Sequence, residues 1–154
     1  MFDVDQMTML LERGMRDTSQ LRDDELAALL HMFIEPTARD AAIAVLTGHR
    51  QDAARLAHSL APATHWFTRG PLDADAVDQA LPLLHRLAAE AAGGPTASTI
   101  SSVLAYLDWA NDRPVRAAAR LAHCTDPLGR QLPRMIAAGV RGPRIIATAT
   151  RNRR

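Results

Sequence analysis

Lysine is absent from this 154-residue chain, and all 18 basic residues are arginine. Arginine and alanine rise together in GC-rich coding sequence, so we read the bias first as composition and only second as a demand for guanidinium chemistry. A single cysteine, Cys124, excludes an intramolecular disulfide. Aromatics make up only 4% of the chain. Aromatics that favour strands are therefore scarce, and few lie among the arginines for single-stranded bases to stack on. No stretch approaches the ~20 apolar residues of a membrane span. The opening residues carry Asp3 and Asp5 where a signal peptide needs positive charge. These absences lead us to expect a cytoplasmic protein with no membrane partner. Also missing are a glycine-rich phosphate loop, a serine nucleophile elbow and a dinucleotide fingerprint.

What is present reads as helix. The length suits one domain, which can bury roughly 70% of the surface its unfolded chain exposes. Alanine is frequent, and it holds a helical conformation at no side-chain entropy cost. Apolar residues recur at i, i+3, i+4 and i+7 in four sets: Leu26/Leu29/Leu30/Phe33, Ala53/Leu56/Ala57/Leu60, Ile100/Val103/Leu104/Leu107 and Val115/Ala118/Ala119/Ala122. Each set predicts a stripe packed on another helix. Thr37 and Asp40 have capping-box spacing, and Gly48 marks a stop. Pro62 should end the helix that carries Leu60, and Asp73 or Asp75 can cap the next one. Pro82 should kink or restart that helix. Gly93-Gly94-Pro95 is a turn, after which Thr96 or Ser98 can cap a helix running through Trp109. Pro114 suits a first helical position, and Asp126-Pro127 opens a last helix that Gly139 closes. The expectation is an all-α fold, a compact array of antiparallel helical hairpins, with about eight helices of roughly 10–20 residues joined by short loops. It spans residues 1–143, with 144–154 as a basic, flexible tail.

Four places carry a resemblance. They are Asp23-Asp24-Glu25-Leu26 leading to Thr37-Ala38-Arg39-Asp40-Ala41; Gly93-Gly94-Pro95 before the helix of Leu104 and Trp109; Ala122 through Asp126-Pro127; and Ala138-Gly139 with Gly142-Pro143. In these the stretch from Leu21 to Pro143 resembles the C-terminal half of an uncharacterised family of high-GC Gram-positive bacteria and their phages, domain-of-unknown-function family 4192. The chain departs from that pattern at Asn111-Asp112-Arg113-Pro114, where the family has a longer glycine-rich turn. It departs again at Leu128-Gly129, where the family has an aromatic. The family's N-terminal half has no counterpart. The resemblance implies helical hairpins, tetratricopeptide-like toward the C-terminus, and a bacterial or phage origin; it supplies no catalytic residues.

The candidate chemistry is thin. Among His31, His49, His58, His65, His85 and His123, only His49 with Asp52 has a helical ligand spacing, and zinc sites typically show two such pairs. We expect no metal and no cofactor. Cys124 lies near a helix end beside Asp126, which disfavours a thiolate, so it reads as a small core residue. Asp23-Asp24-Glu25 and Asp73, Asp75 and Asp78 read as first-turn carboxylates, stabilised by free N–H groups. Trp66-Phe67 reads as a core plug in a long connection, with an exposed partner anchor as the alternative. No set of nucleophile, base and orienter can be assembled, which places an enzyme last.

Charge is the strongest signal. Residues 1–112 hold 8 arginines and 16 acids, whereas residues 113–154 hold 10 arginines and only Asp126. The ten are Arg113, Arg116, Arg120, Arg130, Arg134, Arg141, Arg144, Arg151, Arg153 and Arg154. Three readings stand. The basic end folds back on the acidic body; it meets an acidic patch on another protein or another copy; or it binds the phosphate backbone of a nucleic acid. We expect a small non-enzymatic interaction protein working through these arginines, with a nucleic-acid-associated accessory protein as the alternative.

Overall fold

The computed structural model describes residues 3–58 and 71–146. In chain order these form α1 (Val4–Arg16), α2 (Asp23–Met32), α3 (Pro36–Leu46), α4 (Ala53–Ala57), β1 (Leu72–Asp73), α5 (Ala74–Ala91), α6 (Ala97–Ala110), α7 (Pro114–Leu121), α8 (Pro127–Ala137) and β2 (Ile145–Ile146). The fold is all-α. Two helices are shorter than expected, α4 with 5 residues and α7 with 8. Leu60, Pro62 and the Trp66-Phe67 pair lie outside the described residues, as do Arg151, Arg153 and Arg154.

Two helices are surrounded by others. Every residue of α3 from Ala38 to Leu46 is buried, and α1, α4 and α5 pack on it. A helix with apolar residues on all sides has no face to give to water. Its alanines let neighbours approach closely from several directions. The second buried helix is α6, held by α5, α7 and α8, with Ile100, Val103, Leu104, Tyr106, Leu107 and Trp109 inside. The stripes Leu26/Leu29/Phe33 and Ala53/Leu56 point into the same core.

Helix ends follow the sequence in most places. The Asp3 carboxylate accepts from the Asp5 and Gln6 N–H groups, Asp73 caps α5 by accepting from Asp75, and Asp126 caps α8 by accepting from Gly129. Gly48, Gly93 and Gly139 all have positive φ, as the stops and the turn require.

Four expectations need correction. Thr37 and Asp40 form no capping box: Pro36 already occupies the first turn, and Asp40 instead accepts from Arg39 Nε at 2.9 Å and Nη2 at 2.7 Å, inside the core. Thr96 stands at the N-cap position of α6 but makes no side-chain cap bond, and the Ser98 hydroxyl goes to Asp126 instead. Of the kink or restart expected at Pro82, the restart does not occur, since α5 is continuous through it. Finally, folded structure passes the expected boundary at residue 143. β2 pairs in parallel with β1, Leu72 opposite Ile145 and Asp73 opposite Ile146, and the Leu72 N–H donates to the Arg144 carbonyl at 2.6 Å. The β-branched Ile145-Ile146 pair satisfies a backbone edge that β1 would otherwise leave open. Among the described residues no helix is long and apolar enough to cross a membrane.

Candidate interaction surface

The arginine-rich end is built on α6. Ala117 and Leu121 are the buried residues of α7 and fix which side of that short helix faces inward. Arg120 then reaches back, its Nε donating to Asp108 Oδ2 at 2.7 Å, and Arg116 Nε lies 3.9 Å from Asp108 Oδ1. One carboxylate of the acidic body thus takes Arg120 and draws Arg116 toward it. This much of the fold-back reading is present in the structure.

The rotation leaves the fourth predicted stripe in water. Val115 is 84% exposed, and Ala118, Ala119 and Ala122 are exposed beside it. The expectation that this stripe packs on another helix of the same chain is therefore wrong. The pattern failed because three of its four members are alanines, which bury little area, while Leu121 buries far more and decides the inward face.

The start of α8 is locked by its own acid. Asp126 accepts from the Ser98 hydroxyl at 2.5 Å, the Ser102 hydroxyl at 2.6 Å and the Gly129 N–H at 3.2 Å. Gly129 is required there, because a Cβ would stand 2.6 Å from Cys124 Cβ and 2.8 Å from Ser102 Oγ. Asp126→Ala should lower stability by about 2–4 kcal/mol. That is the loss of a cap, about 1 kcal/mol, plus about 1–3 kcal/mol for leaving the fully buried Ser102 hydroxyl without its acceptor. Urea unfolding of the variant checks this; a change within about 0.5 kcal/mol, as for an ordinary surface site, would contradict it.

With Asp126 engaged internally, residues 113–146 offer only positive charge to solvent. Arg113, Arg130, Arg134, Arg141 and Arg144 are all exposed. Arg130 donates to the Thr125 carbonyl at 2.8 Å, and among the described residues none of the five has a carboxylate within ion-pair distance. The segment that carries Arg141 and Arg144 is clamped. Trp109 Nε1 donates to the Val140 carbonyl at 3.1 Å, and Gly142 lies so close that a Cβ would stand 2.7 Å from the Trp109 carbonyl oxygen. A cleft of about 280 Å³ lies between Trp109, Asp112, Arg141 and Arg144.

Other candidates within the described residues have partners inside the fold. His49 Nε2 lies 2.8 Å from the Pro71 carbonyl, and Asp52 faces Arg55 at 3.5 Å. Among the described residues no group of three His, Cys, Asp or Glu side chains is placed to hold a metal ion. Cys124 is partly buried against the core, its thiol donating to the Arg120 carbonyl at 3.3 Å. Asp23, Asp24 and Glu25 do occupy the first turn of α2. Two features had no clear sequence signal: the buried Arg39–Asp40 pair, and a groove between α1 and α2. No protein-family model, curated protein or solved structure matches the chain.

Proposed function

We propose that the protein is a small non-enzymatic interaction module whose working surface is the outer face of α7, α8 and the clamped segment behind them, and whose partner is an acidic protein surface. One observation carries this reading: an exposed apolar stripe, Val115/Ala118/Ala119/Ala122, lies among exposed arginines on a part of the chain whose only carboxylate is engaged internally. Phosphate backbone has no use for an apolar stripe, whereas a protein face buries it. A duplex would need the arginines alone.

The test is binding of a glutamate-rich polypeptide and of random-sequence duplex DNA at two salt concentrations. Exposed charge pairs are suppressed as the Debye length shortens, ~8 Å at physiological salt and ~3 Å at 1 M. The polypeptide should bind in a salt-sensitive way. Arg113→Gln/Arg116→Gln/Arg134→Gln should weaken it by about tenfold or more, on the order of 1.4 kcal/mol from three exposed contacts. Tighter binding of DNA, with a log–log slope near −0.9 per phosphate, would move the function to nucleic acid. Salt-insensitive binding of either probe would end the electrostatic account.

A further inference from the structure

Opposite in charge to the α7 face is a groove of about 600 Å³ between α1, α2 and the start of α3. Asp3, Asp24 and Glu35 stand around it, and Ala27, Ala28 and Ile34 give it apolar ground. Ile34 is 52% exposed. Asp24 is held ionised, its carboxyl kept below the usual carboxylate range by a hydrogen bond from the exposed Arg22 side chain. The groove therefore offers acids around small apolar residues, while α7 offers arginines around small apolar residues.

We propose that a second copy of this chain is the partner: α7 of one copy docks into the α1–α2 groove of the next. This rests on the reading of the α7 face as the working surface and names what it meets. Charge selects the pairing. A two-fold contact of α7 with α7 would bring Arg113 and Arg116 of both copies together, and a contact of groove with groove would bring Asp3 and Glu35 of both copies together, the Asp24 carboxylates being paired with Arg22. Like charges brought together oppose association. Only the mixed contact, face to groove, pairs opposite charges. Alanines on both sides let the helices approach to the close end of the usual 8–10 Å separation, with Val115 and Ile34 as the larger apolar contributors. A contact between two different surfaces is head-to-tail, so copies add in series until a ring closes or a chain runs on.

The test is sedimentation of the intact chain over a range of concentrations, at low and high salt. The average mass should rise with concentration at low salt and fall toward one chain at high salt. Val115→Glu blocks the face, and Asp24→Arg/Glu35→Arg blocks the groove. All three positions are exposed, so circular dichroism should be unchanged. Each variant alone should stay at the mass of one chain. Mixed, they should form a species of two chains and nothing larger, because each retains one working surface. A wild type at one-chain mass throughout, a V115E variant that associates like wild type, or a mixture without the two-chain species would each overturn the proposal. The glutamate-rich polypeptide separates the two levels. Salt-sensitive binding of it by a wild type that never self-associates removes the second copy and leaves the working surface standing; no binding by such a wild type removes both.

Discussion

Asp40→Ala should destabilise the protein by about 3–5 kcal/mol, a large part of the total for a domain that is stable by about 5–15 kcal/mol. Asp40 and Arg39 are 2% and 3% exposed, side by side in the helix that the rest of the fold surrounds. Removing the carboxylate leaves a guanidinium in the interior without its 2.7 Å partner. Replacing both residues with apolar ones of similar volume, Arg39→Met/Asp40→Leu, should recover most of the loss, since the pair itself gains little over a packed hydrophobic contact. Denaturant unfolding of the two variants decides it. An Asp40→Ala variant within 1 kcal/mol of wild type, or a double variant worse than the single one, would contradict the argument.

Tyr106 carries the second large effect. Its side chain is fully buried at the centre of α6, with the ring 6.3 Å from that of Trp109 in a tilted arrangement. Tyr106→Ala should cost about 3–5 kcal/mol, as large aromatic truncations in a core do. The residue also makes the fold alkali-sensitive. Burial pushes its phenol well above the usual range. In the unfolded chain a tyrosine ionises near pH 10. Above about pH 10 the unfolded state therefore gains by releasing a proton that the folded state keeps. The stabilisation is whole below that pH and is lost as pH rises, by up to about 1.4 kcal/mol per pH unit. Tyr106 is the single tyrosine of the chain, so phenolate absorbance reports on it alone. That absorbance should appear together with the loss of helix on an alkaline titration. Phenolate forming near pH 10 in a chain with intact circular dichroism would contradict the burial argument.

Much of the fold was legible because its signals are local. Asp73, Asp126 and Pro114 fall at helix starts, and Gly48, Gly93 and Gly139 at stops, since caps, ring constraints and positive φ act within a few residues. What the sequence misplaced depends on distant partners. The outward turn of Val115 is set by Leu121 and by Asp108 on the preceding helix. The strand at Ile145-Ile146 exists because β1, more than 70 residues earlier, presents an open edge. Asp40 looked like a cap because spacing cannot distinguish a carboxylate at a helix end from one turned into the core. The charge swing at residue 113 was visible at once. That Arg120 would be taken by Asp108, and Arg113, Arg130 and Arg134 left to solvent, was not, because it depends on how α7 and α8 lie on α6.

Amide hydrogen exchange with and without a bound glutamate-rich polypeptide, at low salt, tests the central claim most directly. The account predicts added protection in α7, α8 and the segment through Arg144, with little change in α3 and α5, and loss of that protection at high salt. Protection confined to α1–α5, or protection of α7 and α8 that persists at high salt, would contradict it.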